Sequence, residues 1–321
     1  MKSKRLPMYS VGLCILLTAM LAGPRPASAA TTNLFSTQFE PAEGYDIDFE
    51  LVGQAGWLGE GSGGNGLVTN FIAGQGQQAY IGFFAPETND DSLFLWRPLN
   101  FAPLAAGLPI VKFSVLLSFV DSANDEYDNF LWSVYNHQTN RLFTLDFDNY
   151  FTDVSYQLDG TNTLVQTGIS FNHDVAYLLT VTMNFAENRW NARLGNSLLA
   201  TNQPITTTNA ALTLGDVDAV WAVFEPERPG DNFMLFDNYQ VSAQLPSPPP
   251  PQMQLLGRTG DGQILLRVSG QENMRFAVDA TTNWTHWTAL KTNLVSGAYF
   301  DYVDVSAPAF SQRFYRVRWV P

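Results

Sequence analysis

Val111-Lys112-Phe113-Ser114-Val115-Leu116-Leu117-Ser118-Phe119 is the stretch that decides the fold. Apolar side chains return at every second residue and Lys112, Ser114 and Ser118 fall between them, the period of a strand with one face on a core. The same period recurs in Phe143-Leu145-Phe147 (alternate residues), in Tyr177-Leu179-Val181-Met183-Phe185 and in Trp190-Ala192-Leu194. Turn-forming clusters separate these runs at Asp121–Asp128, Asn136–Asn140, Asp159–Thr163 and Asn172-His173-Asp174. No stretch after residue 30 carries a helical period. Antiparallel strands over some 210 residues predict an all-β protein built on a large two-sheet sandwich or jelly roll.

Composition agrees. Of 321 residues, 45% are apolar, 13% aromatic and only 15% charged, which suits a folded chain rich in strands and turns. Lys2, Lys4 and Arg5 precede the apolar run Val11 to Ala22, and Ala27-Ser28-Ala29 supplies a small-x-small cleavage site. That order reads as a signal peptide over residues 1–29, and a run of this length is too short to span a bilayer. The expected location is therefore secreted: periplasmic, extracellular or on the cell surface, with no membrane insertion after cleavage. Cleavage removes Cys14, the single cysteine, so the mature chain has no disulfide and no thiolate ligand.

After cleavage 13 basic side chains face 30 acidic ones. Such a balance makes nucleic acid and anionic membranes poor partners. The acidity is uneven. Residues 30–245 hold 6 basic and 25 acidic groups, whereas residues 253–321 hold 7 basic and 5 acidic. Between them Leu245-Pro246-Ser247-Pro248-Pro249-Pro250-Pro251 is a semi-rigid polyproline spacer. The organisation expected is a jelly-roll domain over 30–243, a Pro-rich linker over 244–252 and a small sandwich over 253–321. In that tail Ile264-Leu266-Val268, Phe276-Val278-Ala280 and Tyr315-Val317-Trp319 alternate as strands and suit an immunoglobulin-like module.

Phe39-Glu40, Leu51-Val52-Gly53-Gln54-Ala55-Gly56-Trp57, Gly76-Gln77-Gln78-Ala79-Tyr80-Ile81-Gly82 and Leu235-Phe236-Asp237-Asn238-Tyr239-Gln240-Val241 together resemble the concanavalin A-like (LamG-like) lectin/glucanase jelly roll of exported bacterial proteins. The likeness covers roughly residues 35–243. Thr281-Thr282-Asn283-Trp284, Trp287-Thr288, Phe300-Asp301 and Arg313-Phe314-Tyr315-Arg316-Val317 resemble a carboxy-terminal module found in the same kind of protein. The first resemblance implies recognition of a polysaccharide or surface glycan, with structural Ca²⁺ as a common companion.

Several clusters carry candidate chemistry. Asp46-Ile47-Asp48-Phe49-Glu50, read as a strand, projects three carboxylates from one face. Retaining glycosidases need two carboxyl groups about 5 to 5.5 Å apart. Laminarinase-like glycanases place Glu-x-Asp-x-Glu on one strand, and that resemblance would make Asp46 nucleophile, Asp48 its helper and Glu50 acid/base. A solvated acidic edge beside a turn is the plainer reading of the same residues. Asp121, Asn124, Asp125, Glu126 and Asp128 crowd hard oxygen ligands into one loop. The metal candidates are Asp121, Asp125 and Asp128, joined by Asp237 from the last strand, for calcium. Asp146, Asp148 and Asp153 read as an edge solvated against aggregation. Sugar rings stack on aromatic faces, so Trp57, Trp96, Trp132 and Tyr135 are the candidate platforms. Trp284 and Trp287 read as core of the tail, and Gly61-Ser62-Gly63-Gly64-Asn65-Gly66 as a flexible loop. His137, His173 and His286 share no ligand spacing, which argues against zinc or a Ser-His-Asp triad. The reading that follows is a non-catalytic, lectin-like protein, with a laminarinase-like hydrolase and a structural or adhesive surface protein as alternatives.

Overall fold

A computed structural model describes residues 31–86, 90–246 and 249–320. The signal peptide expected over residues 1–29 lies outside the described residues. The chain divides into two compact units that part between Pro246 and Ser247.

The larger unit contains fifteen strands among the described residues: β1 (Thr31–Thr37), β2 (Leu58–Gly61), β3 (Asn65–Thr69), β4 (Gln77–Gly82), β5 (Ser92–Trp96), β6 (Ile110–Val120), β7 (Asn129–Tyr135), β8 (Arg141–Asp148), β9 (Asp153–Leu158), β10 (Val165–Ser170), β11 (Tyr177–Asn184), β12 (Arg189–Leu194), β13 (Ser197–Pro204), β14 (Asp216–Ala222) and β15 (Phe233–Gln244). They form two antiparallel sheets. One runs β13-β12-β11-β6-β15-β4-β3 with β1 added on β15, and the other runs β10-β9-β8-β7-β14-β5-β2. This is the all-β jelly-roll sandwich expected from the alternation.

Parity explains the packing. Val111, Phe113, Val115, Leu117 and Phe119 of β6 are all fully buried, and opposite them stand Phe130, Trp132 and Val134 of β7. Rings meet across the two layers, Phe113 on Trp132 at 5.2 Å and Phe143 stacked on Trp190 at 4.1 Å. Each such side chain contributes about 1.5–3 kcal/mol when fully buried. The hydroxyl of Tyr239 crosses the core and donates to Val217 O at 3.1 Å. β15 pairs with β6 along one edge and with β4 and then β1 along the other, where a bulge between Asp237 and Gln240, with Asn238 at φ +50, turns it from β4 toward β1.

The smaller unit holds β16 (Gln252–Arg258), β17 (Ile264–Ser269), β18 (Arg275–Thr281), β19 (Thr288–Leu294), β20 (Tyr299–Asp304) and β21 (Phe314–Val320). They make two three-stranded antiparallel sheets, β16-β17-β20 and β19-β18-β21. Leu266, Val268, Phe276, Val278 and Val295 fill its core. Buried Asp279 accepts from the Nε atoms of Arg316 and Arg318, both at 3.0 Å. Trp284 departs from the core placement expected for it. It is partly exposed and lies on Phe314 at a centroid distance of 3.9 Å.

Candidate functional site

The inward parity of β14, β7 and β8 sets what the other face of the seven-stranded sheet must display. Val217, Ala219 and Trp221 point to the core, so Asp216, Asp218, Val220 and Ala222 face outward. Registers extend the outward set across the sheet. One row reads Glu60, Phe94, Val220, Leu131, Asp146 and Ser155. The next places Asp218, Ser133, Thr144 and Gln157 side by side, with Trp96 two residues beyond Phe94 at the end of β5, and a third pairs Asp216, Tyr135 and Arg141. The face thus combines aromatic rings with hydroxyl, amide and carboxyl groups.

Local bonds hold these groups in place. Ser133 Oγ and Thr144 Oγ1 lie 2.8 Å apart, and Asn129 Nδ2 donates to Asp146 Oδ1 at 3.1 Å. The Arg141 guanidinium donates to Gln157 Oε1. Ser133, Thr144, Asp146, Ser155 and Asp218 are all buried although their strands turn them outward. Burial is therefore the main electrostatic force here. It pushes the Asp146 carboxyl up to about 6, helped by the charge of Asp148 and opposed by Asn129. It pushes the Tyr135 phenol up to about 12, with Asp218 adding to the effect. Burial also raises both Asp216 and Asp218, Asp218 further because Asp216 lies beside it and shares a hydrogen bond with it.

Of the four aromatic platforms expected from the sequence, Trp96 and Tyr135 come to this one face, half-buried on either side of β14. Trp57 and Trp132 do not. Both are buried, Trp57 between Phe39 and Tyr239 with its indole N–H donating to Tyr45 Oη at 3.0 Å, and Trp132 against Phe113 and Phe236. Neither has a ring face left for a ligand. The sequence reading missed Phe94, Asp216 and Asp218. The signal available was Asp216-Val217-Asp218-Ala219-Val220-Trp221, in which acids occupy alternate positions of a strand whose other side is apolar.

Asp46, Asp48 and Glu50 are not on a strand. Residues 46–50 form turns, and the Gln54 amide organises them by donating to the carbonyls of Asp46, Phe49 and Glu50. Asp46 Oδ1 accepts the Asp48 N–H at 3.0 Å. Asp48 and Glu50 do line a cleft of about 540 Å³ beside the edge strand β3, with Phe49, Tyr80 and Phe84, whereas Asp46 does not line it. Burial and the charge of Glu50 raise the Tyr80 phenol. The Gly-rich segment that forms the cleft wall is packed and not a free loop. A Cβ on Gly64 would sit 2.2 Å from Gly82 O, and Gly61, at φ +91, leaves 2.0 Å to Ser92 O.

The four carboxylates assigned to calcium are kept apart. Asp128 is buried and accepts from Trp221 Nε1, Phe224 N and Gly230 N. Asp121 pairs with His173 Nδ1 at 3.1 Å and accepts from Tyr127 Oη. Asp125 is exposed at φ +63 in the same loop. Asp237 lies in the middle of β15, where burial, with Glu40 and Glu43 nearby, pushes its carboxyl up to about 7. Among the described residues no three His, Cys, Asp or Glu side chains converge as a metal site.

No protein-family model and no curated protein matches the chain. Among solved structures it is similar to a sialidase (8% identity, 58% of this chain, TM-score 0.42), although it spans only 17% of that chain. It is also similar to the basic winged bean lectin solved with Tn-antigen (8% identity, 68% of this chain, 100% of that one, TM-score 0.43). A third is a β-glucanase catalytic domain from Podospora anserina (14% identity, 58% of this chain, 84% of that one, TM-score 0.39).

Proposed function

We propose that the protein is exported and that the outer face of its seven-stranded sheet binds a polysaccharide or surface glycan without cleaving it. The observation that carries this reading is the placement of Phe94, Trp96 and Tyr135 among Ser133, Thr144, Gln157 and five aspartates on one sheet face. Ring C–H faces of sugars stack on aromatic side chains, while hydroxyl and carboxyl groups take the sugar hydroxyls. Export rests on the sequence of residues 1–29 alone. The small unit is read as an immunoglobulin-like sandwich, supported by strand orders first-second-fifth and fourth-third-sixth.

The test is depletion of the purified chain, begun at Ala30, by insoluble polysaccharides, with the supernatants assayed for new reducing ends. Retention without sugar release is expected, and Trp96→Ala should weaken it about tenfold. No retention on any polysaccharide would overturn the reading.

A second reading has one observation behind it, the cleft that Asp48 and Glu50 line with Tyr80 and Phe84. Glycoside hydrolysis there predicts reducing ends that appear with the wild type and vanish in Glu50→Gln. Their absence with every substrate would remove this alternative.

A further inference from the structure

Asp218 is the anomaly of the sheet face. Only 6% of it is exposed, and its Oδ1 is buried without a hydrogen-bond partner. A buried acceptor left unmade costs about 1–3 kcal/mol, so its retention asks for an occupant that supplies a donor. Ser133 of β7 is its direct neighbour, Asp216 and Tyr135 form the next outward pair, and on the β5 side Trp96 lies two residues beyond Phe94, the partner of Val220.

We propose that Asp216, Asp218 and Trp96 form a subsite for one uncharged sugar ring, with Trp96 under the ring and Asp218 Oδ1 accepting a ring hydroxyl. This rests on the glycan-binding reading and adds the class of sugar to it. The chemistry of the pair sets the direction of each bond. Burial and the neighbouring Asp216 keep a proton on Asp218, which donates it in a hydrogen bond to the Asp216 carboxylate. Oδ1 is then a carbonyl-type oxygen, and the missing partner must be an O–H or N–H donor.

Charge excludes the acidic sugars. Asp146, Asp148, Asp153, Asp216 and Glu60 share the outward face, and Arg141, its one base among the described residues, is engaged by Gln157. A uronate or sulfate would meet a face on which these five acidic groups outnumber the single guanidinium. The other titratable groups that bear on the pair are Tyr135 from β7 and buried Tyr239 from β15 on the core side. Both phenols are raised by burial, so they stay neutral while Asp218 titrates.

The test uses the full mature chain with laminarin, xylan, galactan and hydroxyethylcellulose, each beside its carboxymethylated derivative. The expected result is retention on at least one neutral polymer and binding at least about tenfold weaker to its carboxymethylated form. Asp218→Asn preserves both the donor toward Asp216 and the carbonyl acceptor. It should bind as wild type at pH 6 and hold that affinity at pH 10, where the wild type loses the proton that joins Asp218 to Asp216 and the two like charges push Oδ1 out of position. Asp218→Leu, checked by a cooperative thermal transition, should lose about tenfold; should it not fold, the pH comparison of wild type with Asp218→Asn decides alone. Neutral binding that is identical in wild type and Asp218→Asn at both pH values, or tight binding of the carboxymethylated polymer, overturns the subsite and leaves glycan binding intact. No retention of any polymer overturns both.

Discussion

The indole N–H of Trp221 donates to Asp128 Oδ2 at 3.2 Å, joining the end of β14 to the residue before β7. The same carboxylate accepts from Phe224 N and Gly230 N, so one buried side chain anchors the β14–β15 connection at both ends. Asp128→Ala strands three donors, two of them buried. It should cost about 2–4 kcal/mol in urea unfolding. Amide exchange should rise first in residues 223–232. Loss of stability spread evenly over the sandwich would contradict the anchoring role.

Stability should fall as pH rises from about 4 to 8. Asp146 and Asp237 titrate at about 6 and about 7 in the folded chain, and the Asp216–Asp218 pair is raised as well. All carry folded pKa values above those of the unfolded chain, so the folded state binds more protons in that window and is favoured at its acid end. Below about pH 4 the sign reverses. Burial acts against ionisation of Asp159, but the hydroxyls of Thr206, Thr208 and Thr207 outweigh it and lower its pKa. A melting temperature measured from pH 3 to 9 should therefore peak on the acid side, near pH 4 to 5. Asp146→Asn should remove on the order of 3 kcal/mol of the decline above the peak. A flat profile would refute the assignment.

Much of the sandwich is legible in the sequence because a period of two is a local signal. Residues 111–119 announce β6, and Trp190-Ala192-Leu194 announce β12, without reference to any other strand. The site is not legible in that way. Asp216 and Asp218 resemble a solvated edge until Tyr135 and Ser133 are placed across the sheet from them and Trp96 on the same face of β5. Trp132 and Tyr135 differ by an odd number of residues and so fall on opposite faces, a parity that alternation shows without saying which face is core. For Asp46-Ile47-Asp48-Phe49-Glu50 the alternation is present but a side chain, Gln54, takes the backbone carbonyls and curls the segment into turns.

Gly64 should tolerate no side chain. The nearest atoms to an added Cβ are Gly82 O at 2.2 Å and Phe84 N at 2.9 Å, both backbone, so relief requires β3 and the Phe83-Phe84 segment to part. Gly64→Ala should cost about 1–3 kcal/mol by overpacking and open the cleft wall beside Glu50. Gly260→Ala is the control for loss of the glycine itself, since neither Gly64 nor Gly260 has φ in the left-handed region and Gly260 meets nothing within 4 Å. Equal losses in the two variants would show that packing against Gly82 and Phe84 does not set the cost.

Glycan titration followed by tryptophan emission gives a direct assay of the proposed face. The chain has eight tryptophans, and Trp57, Trp132, Trp190 and Trp221 are at most 1% exposed. A ligand cannot reach those four without unfolding the core, and Trp284, Trp287 and Trp319 belong to the small unit. A saturable change in emission on binding to the sheet face must therefore come from Trp96. Trp96→Phe should keep binding, because a phenyl ring still stacks, while losing the signal; Trp96→Ala should lose the signal and weaken binding about tenfold. A change that persists in Trp96→Phe would place the ligand elsewhere, with the partly exposed Trp284 of the small unit the next residue to replace.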